Sequence, residues 1–94
     1  MPYVLIQHTV KNFARFKSVF DDEAERRRMN GSQGGRLFRS VTEPDEVVAL
    51  FEWADNEGAT KFTASYELRE AVEWAGVKGE AKIMVLEEVE QADA

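Results

Sequence analysis

One histidine, His8, is the only side chain of this sequence whose ordinary pKa lies near neutrality. It can take up and return a proton at physiological pH, which is the work of a general base. The rings best placed to receive a ligand are Phe51 and Trp53, two residues apart and so on one face of a strand. Either can stack on a planar molecule, and the Trp53 indole N–H adds one directional hydrogen bond. Phe13, Phe16 and Phe20 recur at helical spacing and would form a facing wall. Phe62 and Tyr66 lie on a later helical region, where Tyr66 either covers a cavity mouth or packs between two helical pieces. Arg36 and Arg39 flank Phe38 on a strand and point to opposite faces, so only one of them can reach a cavity. That one would hold a carboxylate or phenolate.

Each of these residues has a plainer alternative. A strand-end histidine can be hydrogen-bonded to the sheet or sit at a dimer seam, and no carboxylate near His8 in sequence orients it. Aromatic residues at helical or strand spacing also build ordinary cores, and edge-strand arginines are commonly solvated. Arg26-Arg-Arg28 reads as a solvated helix end that complements the helix dipole, while the Arg27 stem can also join the apolar stripe of Phe13, Phe16 and Phe20. Glu52, Glu87 and Glu88 have no histidine cluster beside them, so they make a poor metal site. Gly34-Gly35 has no Lys-Ser/Thr after it, so a nucleotide-phosphate loop has no support.

Composition narrows the classes further. Ninety-four residues make one domain, expected over 1–90 with a frayed tail at 91–94. A chain this short gains from pairing with a second copy to cover its core. The formal net charge of −6 argues against general nucleic-acid binding. The absence of cysteine removes disulfides, thiol catalysis and thiolate metal sites. No apolar run approaches the ~20 residues that span a bilayer, and Met1–Val10 lacks a basic leader. A cytoplasmic protein is the expectation, with no membrane partner.

The elements that must position the candidate residues follow from periodicity and punctuation. Pro2–Val10 alternates loosely and reads as a strand, with Val4, Ile6, His8 and Val10 on one face. Asn12 caps a helix that carries the phenylalanine stripe and stops at Asn30-Gly31. Ser32–Gly35 reads as a polar loop, and residues 36–41 as the second strand. Thr42–Asp45 is a turn cornered by Pro44, so strands two and three form an antiparallel hairpin. Val47–Trp53 is apolar at every position but Glu52, which predicts a central strand. Asp55 caps a helical region over 56–75 that Ser65 interrupts, turning Leu68 and Val72 to the core. Gly76–Gly79 ends that region and residues 81–90 form the last strand. The order is β-α-β-β-α-β with the second helix split, the ferredoxin-like α+β arrangement: a four-stranded antiparallel sheet with helices on one face. Strands one and three are expected to pair, and likewise four and two. The sheet's other face carries too many apolar residues to stay wet, and a sheet-to-sheet homodimer would cover it.

With these elements in place the chain resembles the dimeric α+β-barrel superfamily, in particular its antibiotic-biosynthesis-monooxygenase-like group. The resemblance runs from Pro2 to about Glu90. It rests chiefly on Phe51-Glu-Trp-Ala-Asp55 followed by Ala59, Phe62 and Ser65, and also on Tyr3-Val-Leu-Ile, His8-Thr-Val and Arg36-Leu-Phe-Arg39. It implies a ligand cavity between sheet and helices in each subunit, with Trp53 matching the family's pocket tryptophan. The implied chemistry is cofactor-independent oxygenation, or a related cyclisation, of an aromatic or polyketide-like small molecule. His8 would remove a phenolic proton to make the electron-rich anion that reacts with dioxygen. Haem-degrading members place a histidine where this chain has Phe62, so haem ligation does not carry over and no cofactor is expected. The second reading is a non-catalytic module that binds a small molecule or a protein through the same fold.

Overall fold

Residues 1–94 are described here by a computed structural model. The elements are β1 (Pro2–Val10), α1 (Phe13–Asp22), α2 (Ala24–Asn30), β2 (Ser32–Arg39), β3 (Glu46–Trp53), α3 (Asn56–Thr63), α4 (Tyr66–Trp74) and β4 (Val77–Glu87). β1 and β3 alternate residue by residue between buried and half-buried positions, as strands with one dry face do. Val4, Ile6, Ala49, Phe51 and Trp53 make the dry face and pack against Ala59, Phe62 and Leu68 of the helices. A second cluster continues the core at the other end, joining Val10 and Val47 to Phe16 and Ala75. The fold is α+β with the ferredoxin-like sheet, and all four strands pair antiparallel.

The sheet order is β2-β3-β1-β4, which confirms β3 as an inner strand and corrects the expected pairing of strands four and two. Those two strands form opposite edges. Each helical crossover returns the chain parallel to the strand it left, with a gap one strand wide. β3 fills the gap between β1 and β2, and β1 fills the gap between β3 and β4. The two crossovers interleave, and a β2–β4 pair would require the sheet to close on itself.

Local sequence accounts for the helix boundaries. The Asn12 side chain accepts from the Arg15 N–H at 3.0 Å, Asp55 from the Gly58 N–H at 2.6 Å, and Ser65 from the Leu68 N–H at 3.2 Å. Ser65 thus splits the second helical region as its residue type predicts. The first region is also split, at Glu23, which was expected to lie within one continuous helix. The backbone at Glu23 opens to ψ −2°, ending α1, and α2 restarts at Ala24. Gly31, at φ +118°, closes α2 in the left-handed conformation.

Both edge strands differ from expectation at each end, β2 stopping at Arg39 and not at Val41, and β4 at Glu87 and not at Glu90. Ser32–Gly35 is paired strand and not loop, with Ser32 opposite Trp53 and Gly35 opposite Phe51. A bulge between them absorbs the extra residue, and Gly34 takes φ +112° within it. β4 starts at Val77, earlier than the Gly76–Gly79 run implied, because a bulge at Gly79 (φ +76°) lets the strand continue through the glycine. No helix is long and apolar enough to cross a membrane.

Candidate functional site

His8 stands on the dry face of β1 and is 7% exposed. It pairs in register with Val47 on β3, while on its other side the β1–β4 register slips between Gln7 and Thr9. His8 therefore lies opposite the β4 bulge, a feature that frequently re-aims side chains beside functional sites. Its imidazole meets Phe16 of α1 edge-on, with ring centroids 5.0 Å apart and planes at 71°. Both ring nitrogens are buried and neither has a hydrogen-bond partner. Burial pushes the His8 pKa below its ordinary value, so the ring is neutral at pH 7. A neutral imidazole carries one donor and one acceptor, and here both are unused.

The imidazole borders a cavity of about 70 Å³ between the sheet and the helices. Phe16 and Phe20 of α1, Phe51 of β3 and Phe62 of α3 supply its aromatic wall, and Leu68 and Val72 of α4 close it with aliphatic carbon. The rings form a continuous chain. Phe16 and Phe20 are 5.8 Å apart, Phe20 stacks on Phe51 at 5.9 Å, and Phe51 meets Trp53 edge-on at 6.5 Å. Four charged side chains, Glu23, Arg26, Arg27 and Glu67, gather where the α1–α2 junction faces the start of α4. The remaining lining is predominantly hydrocarbon.

The expected residues divide into two groups. His8, Phe51, Phe16, Phe20 and Phe62 converge on the cavity. Trp53, Tyr66, Arg36 and Arg39 do not border it. Trp53 is wholly buried behind Phe62, with ring centroids 4.4 Å apart, and its Nε1–H donates to the Asn30 carbonyl at 3.1 Å. It ties β3 to the C-terminus of α2. Tyr66 is 71% exposed at the start of α4. Arg39 lies over the Phe13 ring at 4.0 Å and donates from Nε to the Pro44 carbonyl at 2.7 Å. Arg36 belongs to the opposite face of the sheet, with Tyr3, Leu50 and Glu52.

The arginine that does reach the cavity is Arg27. Its guanidinium carbon lies 4.2 Å from the Phe20 ring centroid and 4.9 Å from that of Phe51, and Nη1 donates to the Phe20 carbonyl at 2.9 Å. Charge counting hides this residue inside the run Arg26-Arg-Arg28. The signal that finds it is positional, because Arg27 falls seven residues after Phe20 on the stripe of α1 and α2. Its long apolar stem fits that stripe while the head group reaches on. The described side chains contain no group of three or more metal-ligating residues.

The opposite face of the sheet is bare. In register across it lie Phe38 with Val48, Leu50 with Leu5, and Leu5 with Met84. Phe38 is 48% and Met84 37% exposed.

No family model matches the sequence, and no curated protein matches it. Solved structures do match the fold. SnoaB, a cofactor-independent oxygenase from Streptomyces nogalater, superposes with a TM-score of 0.77 at 18% identity over 99% of this chain and 97% of that one. A candidate antibiotic biosynthesis monooxygenase from Bordetella bronchiseptica gives 0.78 at 15% identity, covering 94% and 96% of the two chains. Another, from Caulobacter crescentus CB15, gives 0.74 at 24% identity, covering 95% and 90%. At these identities the likeness is one of backbone, and the chain has the α+β fold of these antibiotic-biosynthesis-monooxygenase-like structures.

Proposed function

We propose that this protein is a cofactor-independent oxygenase of small aromatic molecules, or a cyclase working through the same proton transfer, with His8 as the base. The observation that carries the reading is the unpartnered imidazole of His8 at the wall of an aromatic-lined cavity. A buried polar group normally finds a partner, and leaving one unpaired costs about 1–3 kcal/mol. A bound phenol resolves that cost by donating its O–H to the acceptor nitrogen. Neutral His8 then takes the proton, and the phenolate left in a dry pocket is electron-rich enough to react with dioxygen. Phe51, Phe16, Phe20 and Phe62 hold the ring plane. The fold shared with SnoaB, described as a cofactor-independent oxygenase, supports the same chemistry. Dioxygen uptake over a panel of phenols and quinols, with wild type and His8→Gln, tests it.

We also infer that two copies associate through the bare sheet face, where Leu5, Val48, Leu50 and Phe38 would be removed from water. The apolar exposure of Phe38 and Met84 supports this.

A second reading, a non-catalytic binding module, draws on one observation: no carboxylate or carbonyl holds His8 in a single tautomer. Enzymes that use histidine as a base commonly orient it through the other ring nitrogen. Binding of a phenol without turnover of any compound in the panel would favour the module.

A further inference from the structure

Three consecutive arginines close α2, and they are not equivalent. Arg26 Nε lies 3.4 Å from a Glu23 carboxylate oxygen, and Arg28 is paired with Glu25. Arg27, between them, has no carboxylate within 4.0 Å. The two acids whose fields reach it are already engaged, Glu23 with Arg26 and Asp21 with Lys17 at 2.7 Å. Of the five N–H donors of a guanidinium, the Phe20 carbonyl takes one. A half-buried cation with no carboxylate beside it favours a counter-charge, and two ring faces offset only part of its desolvation.

The position of Arg27 adds a second observation. With Phe20 and Phe51 it borders both the His8 cavity and a neighbouring cleft of about 450 Å³. That cleft runs along the β2 bulge, where Ser32 and Gly34 present little side chain. A Cβ built on Gly34 would meet nothing within 4 Å. The cavity on the His8 side is only about 70 Å³, whereas an apolar cavity that admits benzene is about 150 Å³. A ring therefore needs more room than that cavity offers, and Arg27, lying against Phe20 and Phe51, stands with them between it and the larger space.

We propose that Arg27 is both a movable partition and an anion anchor, and that the ligand is an aromatic carboxylate. Its ring enters the His8 cavity as the guanidinium swings off Phe20 and Phe51, and its carboxylate pairs with that guanidinium on the cleft side beside Gly34. A carboxylate matches the planar fork of one guanidinium, and the engagement of Arg26 and Arg28 leaves one free cation for a singly charged group. The inference rests on the aromatic-ligand reading above and adds the ligand's charge and its second contact.

Calorimetric titration with 2-naphthoate and with the neutral 2-naphthamide separates the two ideas. The expected result is that wild type binds 2-naphthoate at least tenfold more tightly than 2-naphthamide. Arg27→Met abolishes the difference while retaining 2-naphthamide. Arg27→Lys, which keeps the charge but not the fork, retains an intermediate preference and serves as the test should Arg27→Met fail to fold. Equal affinity of wild type for the two compounds, or a preference that survives Arg27→Met, overturns the anchor and leaves the aromatic cavity standing. Failure of both compounds to bind wild type overturns the anchor too, while dioxygen uptake with phenols still tests His8 separately.

Discussion

The His8 imidazole meets the Phe16 ring edge-on at 5.0 Å, and neither of its nitrogens has a hydrogen-bond partner. The unfolded imidazole titrates near 6.5, and burial holds the folded one lower. Above pH 6.5 both states are neutral and the full contribution of the buried ring to stability is present. Below it the unfolded chain takes up a proton that the folded chain refuses. Stability then falls by up to about 1.4 kcal/mol per pH unit until the folded pKa is reached. Denaturant titrations between pH 8 and pH 5 should show this loss. The same titrations on His8→Leu should lack the His8 component and give a protein about 1 kcal/mol more stable at pH 7, because an apolar group of similar size replaces an unpaired polar one.

Trp53 and Gly31 are locked together. A Cβ on Gly31 would lie 2.8 Å from Trp53 Nε1, and the Gly31 φ of +118° disfavours any side chain. Gly31→Ala should cost about 1–3 kcal/mol through strain and displacement of the indole. Trp53→Phe should cost about 1–3 kcal/mol by leaving the Asn30 carbonyl unpaired. Because Trp53 does not border the cavity, ligand affinity in Trp53→Phe should change less than twofold. A larger change, measured by calorimetry, would place Trp53 among the ligand contacts.

Gly35 is restricted by backbone. A Cβ there would fall 2.3 Å from the Leu50 carbonyl oxygen and 2.8 Å from the Phe51 ring. Gly35→Ala should force β2 away from β3 beside the neighbouring cleft and lower stability by several kcal/mol. Gly34→Ala faces open space and is penalised only by its φ of +112°, so its cost should be about 1–2 kcal/mol. Thermal unfolding of the two variants side by side checks the order.

The sheet face opposite the helices gives a test of assembly. Leu50→Glu places a charge between Leu5 and Arg36 on that face, outside the core. Sedimentation should show a dimer for wild type at micromolar concentration and a monomer for Leu50→Glu with its fold intact. A stable wild-type monomer would remove the proposed dimer.

Much of the frame was legible because single residues decided it. Asn12, Asp55 and Ser65 each cap a helix through their own side chain, and the run Val47–Trp53, apolar but for Glu52, announced an inner strand. The cavity-facing residues of β1 and β3 followed from alternation, and Phe16 and Phe20 from helical spacing. The rest depended on events with weak local signatures. Glu23 is not a breaker by type, so the break between α1 and α2 was hidden, whereas the Arg27 stem falls on the apolar stripe by spacing. The bulges at Gly34 and Gly79 made glycine-rich stretches look like loops when they are strand. Trp53 shares the cavity face by period, but whether a ring on that face borders empty space or fills it depends on Phe62 and Asn30, remote in sequence.

The central claim is that His8 removes a proton from a bound phenol. Dioxygen consumption at pH 7.5 across phenols and quinols, with wild type and His8→Gln, addresses it most directly. The account predicts uptake by wild type for at least one compound and a rate lower by about 10²–10⁴-fold in His8→Gln, the range a positioned base supplies. Unchanged turnover of every accepted compound in His8→Gln, or no uptake by wild type across the panel, would contradict it.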